Sequence, residues 1–487
     1  MKNLKDILYK VSLEHIVGNT DVSVNAIQFD SRKIQQGDCF VAQKGVTVNG
    51  HLFIEKAISL GATSIVCEDL PVQLVDAVTY VVVKDSNSAL AIMASNFFDV
   101  PSSKLKLIGV TGTNGKTTIA SLLYQLFKKA GHKVGLLSTV KILVNTQEYT
   151  TTHTTPDSVT INSYLKQMVD AGVTYCFMEV SSHGIHQKRT HGLCFEGGVF
   201  TNLSHDHLDY HNSFAAYRDV KKAFFDSLPA SAFALVNVDD KNGNVMLQNT
   251  KASKKTYALK TLADYKGRVL EKSMSGTLLT VNGVEVWSKL IGTFNAYNLL
   301  AIVGVADTCG LEHMEVLRLV SELESVSGRF QYAISKSGII AIVDYAHTPD
   351  ALKNVLETIT DIKQSTEKII TVVGCGGDRD KSKRPKMAMI ASQLSNQAIF
   401  TSDNPRTEDA QTIIDEMEIG VAKENIGKTL AIVDRKQAIK TACKLSESGD
   451  VILIAGKGHE NYQEINGERF HFDDLEVVTA CFNQLNK

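Results

Sequence analysis

Leu105-Lys-Leu-Ile-Gly-Val110, then Thr111-Gly-Thr-Asn-Gly-Lys-Thr-Thr118, then Ile119-Ala-Ser-Leu-Leu-Tyr-Gln-Leu-Phe-Lys-Lys-Ala130: these three pieces decide the fold. The first is a short apolar run, the second a glycine- and threonine-rich turn, the third a helical pattern. Strand, loop and helix in that order make a phosphate cradle, because successive backbone N–H groups and the helix N-terminus face the same anion. Lys116 can reach terminal phosphates and Thr117 can hold Mg²⁺. The strict G-x-x-x-x-G-K-[ST] pattern fails at one position, since Val110 stands where the first glycine belongs. Gly112, three residues before Gly115, gives a variant of it. A tight strand–helix turn with no ligand is the plainer reading.

The same arrangement recurs along the chain. YCFMEV leads into Ser181-Ser-His-Gly184, and GGVFTN into Leu203-Ser-His-Asp-His-Leu-Asp209. IIAIVDY leads into Ala346-His-Thr-Pro349, and IITVV into Gly374-Cys-Gly-Gly-Asp-Arg-Asp380. QAIFTS leads into Asp403-Asn-Pro-Arg406, and VILIA into Gly456-Lys-Gly-His-Glu460. Apolar runs alternating with helical patterns predict βαβ units and parallel sheets. Polar clusters at the carboxyl ends of such strands mark the edge where open α/β sheets bind ligands. Polar, glycine-rich loops are also what any strand-to-helix connection looks like.

A chain of 487 residues predicts about three domains at roughly 100–200 residues each. Val100-Pro-Ser-Ser-Lys104 reads as one linker, and a second boundary falls at Ser325-Val-Ser-Gly-Arg-Phe330. The expected domains are 1–102, 103–328 and 329–487. The expected class is α/β, with a central parallel sheet of the P-loop ATPase kind and a Rossmann-like C-terminal domain.

Composition narrows the function classes. The hydrophobic fraction of 44% and charged fraction of 21% suit a globular protein. Fifty-one Lys and Arg against 53 Asp and Glu give a net charge of −2. No global basic field is available for nucleic acid or an anionic membrane, so anionic ligands must be held by local features. Charges interrupt every apolar run of the N-terminus, which argues against a signal peptide. No run approaches a membrane span. The eight cysteines form no C-x-x-C pair and read as buried reduced thiols of a cytosolic protein.

Several residues are candidates for chemistry. Glu179 ends an apolar run and is a candidate Mg²⁺ ligand, or a capping residue. Asn202–His211 packs three histidines and two aspartates into ten residues. It lacks thiolates and standard zinc spacing, so a metal or phosphate site shared with Glu179 is the better reading. Lys221 looks like an ordinary helix lysine. Arg379-Asp-Lys-Ser-Lys-Arg-Pro-Lys386 is the one dense basic run; without aromatics it reads as a solvated helix start with Arg379 aimed at a ligand. Asp403-Asn-Pro-Arg406 puts an acid, an amide and a guanidinium on one turn stiffened by Pro405, which suits a zwitterion, or caps the helix that follows.

Taken together and in order, TGTNGKTT, HTTPD, EVSSHGIHQKR, TNLSHDHLDYH, GTFNAYN, SGRF, DYAHTPDAL, GGDRDKSKRP, DNPR and GKGHE resemble the Mur ligases of peptidoglycan synthesis. Weaker similarity at Asp30-Ser-Arg32 and Asn49-Gly-His51 carries the resemblance to the N-terminus. It implies an ATP-dependent ligase that adds the third stem residue to UDP-N-acetylmuramoyl-L-alanyl-D-glutamate. ATP and Mg²⁺ are implied, with Gly112, Thr113, Asn114, Gly115, Lys116, Thr117, Thr118, Asn295, Asn298 and His347 around the nucleotide. Thr117, Glu179 and His207 are implied as metal ligands. Lys221 corresponds to a carbamylated lysine, a fourth ligand. Lys116, Lys221, Glu179 and His207 form the implied catalytic set. Ser31, Thr154, Thr155, Ser181, Gln187 and Arg189 resemble the contacts to the UDP-sugar peptide. Arg379, Asp403, Asn404, Pro405, Arg406, Gly456 and Glu460 resemble the amino-acid site. No nucleic-acid partner or membrane span is implied; a cytoplasmic monomer is expected.

The chemistry requires charge neutralisation. A carboxylate attacking the γ-phosphate of ATP brings two anions together, so Lys116 and Mg²⁺ must offset them. The acyl phosphate formed must then meet an amine before water reaches it. Arg406 points to meso-diaminopimelate, whose distal carboxylate a guanidinium grips bidentately while Glu460 pairs with the ammonium. L-Lysine is the alternative amino acid. A folylpolyglutamate synthase, which shares the phosphate loop, is the alternative enzyme, and a nucleotide-dependent switch the alternative from another class.

Overall fold

The computed structural model describes residues 1–45, 48–151, 153–204, 208–211 and 213–487. Three mainly parallel sheets follow one another along the chain. In the N-terminal sheet, Ile27–Gln28, Cys39–Val41, Ser64–Cys67 and Thr79–Val83 run parallel, and Leu13–Val17 closes one edge antiparallel. The strands read weakly because they are only two to five residues long. The segment read as a linker is packed: Ser102 is buried, and its Oγ accepts from the Cys194 N–H at 3.0 Å.

The central sheet places Lys106–Thr111 between Tyr175–Glu179 on one side and Gly197–Phe200 on the other, all parallel. The chain therefore leaves this strand in two directions, which creates the crevice where such sheets bind ligands. Helices cover both faces, as parallel strands without alternation require. Lys116–Lys129 and Thr293–Thr308 pack with Ile108, Phe177 and Leu235 on one face. Ser158–Asp170 and Phe214–Asp226 pack with Leu107, Met178 and Phe200 on the other.

The C-terminal sheet runs Ile340–Asp344, Val451–Ala455, Ile369–Val373, Gln397–Phe400 and Thr429–Ala431 in parallel, with Gln331–Ile334 antiparallel at its edge. It too has an apolar core on each face. The chain is thus an α/β protein of three sheet-centred units, and no described helix is long and apolar enough to cross a membrane. Six of the cysteines are buried as expected; Cys309 is half-buried and Cys194 is exposed.

One expectation needs correction. The basic run 379–386 is not a solvated helix start throughout. Arg384, in the first turn of Lys383–Leu394, is fully buried. Its guanidinium donates to Glu408 at 2.9 Å and to Glu416 at 2.6 Å. Carboxylates from another helix and its approach loop draw it inward, and nothing local in the run reports them. Nor does Asp403–Arg406 cap the next helix; Asp409 does, accepting from the Thr412 N–H at 2.9 Å.

Candidate active site

The phosphate loop forms as read. Gly112 has φ +147°, and a β-carbon there would lie 1.8 Å from Thr201 Oγ1, so only glycine fits. Thr201 Oγ1 donates to the Asn114 carbonyl at 2.6 Å, and the Asn114 N–H donates to Asn202 Oδ1 at 3.1 Å. The ammonium of Lys116 turns back on its own loop, donating to the carbonyls of Gly112 at 2.9 Å and Thr113 at 2.8 Å.

Glu179 is fully buried at the end of its strand. Its carboxylate accepts from Thr117 Oγ1 at 3.0 Å, the Thr139 N–H at 2.7 Å and Thr139 Oγ1 at 3.1 Å. Neutral donors hold it, and the oxygens of Thr117 and Glu179 converge. That is the donor chemistry a hard divalent cation takes, through one or two carboxylates together with phosphates and water. Among the described residues no three His, Cys, Asp or Glu side chains come together as a metal cage. Lys221 is buried, donates to the Gly112 carbonyl at 2.9 Å and lies 4.7 Å from the centre of the Tyr217 ring. His207 and His205 lie outside the described residues.

A cleft of about 680 Å³ is lined by Thr113, Asn114, Gly115, Lys116, Thr117, Thr118, Asn295, Asn298 and His347. Asn298 donates to Asn295 Oδ1 at 2.9 Å, and Asn295 to the Ile291 carbonyl at 2.9 Å, so the helix positions both amides. Among the lining residues that the sequence does not single out are Arg329 and Asp344. Arg329 donates to Thr117 Oγ1 at 3.1 Å from the segment that enters the C-terminal sheet. Burial raises the Asp344 carboxyl to about 6, against the pull of Arg329 and the Phe330 N–H. The signal is in the sequence: Asp344 ends an apolar strand, and both residues lie in quoted motifs, SGRF and DYAHTPDAL, that carry no assigned role for them.

A second cleft, of about 1410 Å³, shares Lys116, Thr154 and His347 with the first. Thr154, Thr155, Ser181, Arg189 and Lys221 line it from the central sheet. Arg379, Asp403, Asn404, Arg406, Gly456 and Glu460 line it from the C-terminal sheet. Arg189 is fixed by bonds to Gln187 Oε1 at 2.7 Å and the Thr155 carbonyl at 2.6 Å, which leaves Gln187 as its support. Arg406, at φ +53°, donates to the Gly377 carbonyl at 2.7 Å. Glu460 accepts from Asn404 Nδ2 at 2.7 Å, and burial beside Asp403 pushes its carboxyl upward. Ser31 and Pro405 line neither cleft.

Models of three families of domain match the chain in order: the Mur ligase family catalytic domain at residues 23–102, the Mur ligase middle domain at 110–306 and the Mur ligase glutamate ligase domain at 328–458. The chain belongs to the Mur ligase family. Among curated Mur ligases it is similar to the UDP-N-acetylmuramoyl-L-alanyl-D-glutamate–2,6-diaminopimelate ligase of Cytophaga hutchinsonii, 54% identical over 99% of this chain and 100% of that one. The ligase of the same name from Parabacteroides distasonis is 54% identical over 99% of each chain. A solved structure of a ligase with that name is 32% identical, covers 100% of this chain and 99% of its own, and superposes with a TM-score of 0.70. The Mur ligase architecture of three α/β units is what the three sheets form.

Proposed function

We propose that this Mur ligase joins meso-diaminopimelate to UDP-N-acetylmuramoyl-L-alanyl-D-glutamate with hydrolysis of ATP to ADP and phosphate, working as a cytoplasmic monomer. The observation that carries the reading is the shared cleft: the phosphate loop opens at one end, and Arg406 and Glu460 stand at the other. Full-length relatives named for this reaction support it.

Lys116 exchanges its loop carbonyls for the phosphates of ATP. Arg189, braced by Gln187 and Thr155, offers a guanidinium to the peptide carboxylates. The substrate carboxylate attacks the γ-phosphate and releases ADP. The incoming amine then attacks the acyl phosphate, and phosphate leaves as the amide forms and a proton is lost. Arg406 takes the distal carboxylate of the amino acid, and Glu460 its distal ammonium. Bound Mg²⁺ would offset phosphate charge. Thr117 and Glu179 fit it, with Lys221 joined to CO₂ as an anionic carbamate.

The test is phosphate release from ATP with UDP-N-acetylmuramoyl-dipeptide and either meso-diaminopimelate or L-lysine, beside a folate with glutamate. Faster turnover of L-lysine would overturn the amino-acid assignment; turnover of the folate would overturn the enzyme assignment. For Lys221, activity lost in Lys221→Ala should return in part with a short carboxylic acid in the buffer. Full activity of the unsupplemented variant would remove the carbamate.

A further inference from the structure

Behind the amino-acid end of the cleft lies a lysine that does not line it. Lys457 follows the strand Val451–Ala455 and is fully buried. Its Nζ donates to Asn404 Oδ1 at 2.9 Å and lies 3.7 Å from Glu460 Oε2. The Tyr462 ring centre is 5.6 Å away. Burying an ammonium is costly unless charge and hydrogen bonds compensate it. Asp403, Glu460 and Asp474 supply that charge, with Arg435 opposing it. A buried cation kept behind the wall of a binding site calls for an account of what it holds in place.

Its immediate neighbour supplies one. Asn404 Oδ1 accepts twice, from Lys457 Nζ and from the Glu464 N–H at 3.0 Å, while Nδ2 donates to Glu460 Oε2 at 2.7 Å. An ammonium and a backbone N–H only donate, and a carboxylate only accepts. Turning the amide over would set its NH₂ against two donors and its oxygen against a carboxylate. Only one orientation satisfies all three neighbours, and the lysine is one of the two donors that fix its oxygen side.

We infer that Lys457 is a positioning residue for amino-acid selection: it locks the Asn404 amide, and the locked amide holds the Glu460 carboxylate where the distal ammonium of the substrate arrives. The inference rests on the proposed amino-acid site. Without Lys457 the amide oxygen keeps only the Glu464 N–H, so the amide is held less firmly, and Glu460 loses a neighbouring charge.

The experiment measures kcat and the KM of each substrate for the full-length chain carrying Lys457→Met. The KM for meso-diaminopimelate should rise by about ten-fold or more, as expected when a buried polar group loses its partner. The KM values for ATP and UDP-N-acetylmuramoyl-dipeptide should stay unchanged, and kcat at saturation should fall by no more than about three-fold. In a double-mutant cycle, Lys457→Met should add little to Asn404→Leu, because both act through one amide. Should Lys457→Met fail to fold, Lys457→Gln removes the charge but keeps a donor, and the KM for the amino acid alone should still rise, by a smaller factor. Equal rises in all three KM values, an unchanged KM for the amino acid, or full additivity in the cycle would each overturn the inference. Wild-type enzyme that uses a different amino acid would break the functional reading alone, and the KM for that amino acid would then carry the same comparison.

Discussion

The two ends of the cleft are built differently although both are carboxyl edges of parallel sheets. At the nucleotide end, many of the parts lie close together in sequence: Gly112, Thr113, Asn114 and Lys116 bond to their own loop and to the adjacent strand end at Thr201 and Asn202. At the amino-acid end, buried ions from distant segments hold the loops. Arg435 pairs with Asp474, both fully buried, and also donates to the carbonyls of Ser402 and Ala455. Arg384 ties Glu408 to Glu416. Backbone geometry sets most of the first end, with Glu179 and Lys221 buried against its loop. Recognising a zwitterion needs fixed side chains, and fixing them takes charge from elsewhere in the fold.

That contrast predicts opposite outcomes from single substitutions. The largest effect is expected from Arg435→Met, which leaves Asp474 buried without its partner and costs about 3–5 kcal/mol. Denaturant unfolding should show a much smaller loss in Arg435→Met/Asp474→Leu; equal losses would mean that the pair is not what holds this end. Lys116→Met makes the converse case. Phosphate release should fall by about 10²–10³-fold, with the unfolding midpoint nearly unmoved. A large drop in midpoint would erase the distinction between the two ends.

Asp344 tests the seam between them, since it ends a strand of the C-terminal sheet and lines the nucleotide cleft. Its folded value, about 6, lies above the ordinary 3.8. The folded chain therefore keeps a proton that the unfolded chain releases, and this group's contribution to stability falls as pH rises from about 4 to about 6, by up to about 3 kcal/mol. Asp344→Asn should gain on the wild type across that window, read from unfolding at stepped pH. A difference that stays flat would mean that Arg329 offsets the burial fully. The smallest effect is expected from Arg406→Lys, which replaces a fork with a point charge. The preference for meso-diaminopimelate over L-lysine should fall by about 10–100-fold, measured as a ratio of kcat/KM values.

The same contrast explains what was legible in the sequence. The phosphate loop could be read because its strand, turn and helix are consecutive and its glycines answer a local steric demand. Glu179 and Asp403 are legible because each sits at or just after the end of an apolar run, where the sheet edge must be, while Glu460, five residues beyond its run, is singled out only by the family resemblance. Lys457 and Arg384 could not be read in the same way: each looks like a basic residue in a polar loop or helix start, and only the approach of Asn404, Glu408 and Glu416 from other segments shows that they are buried. Arg329 sits in SGRF, and its role is not legible there because its partner Thr117 lies 212 residues earlier, in the helix after the phosphate loop.

That last bond makes one side chain a coupling between two parts of the fold. The Thr117 hydroxyl gives its proton to Glu179 and its lone pair to Arg329. A single oxygen in the first turn of the helix after the phosphate loop therefore ties the buried end of a central strand to the segment that leads into the C-terminal sheet. The two sheets share a hinge pin no larger than a hydroxyl group.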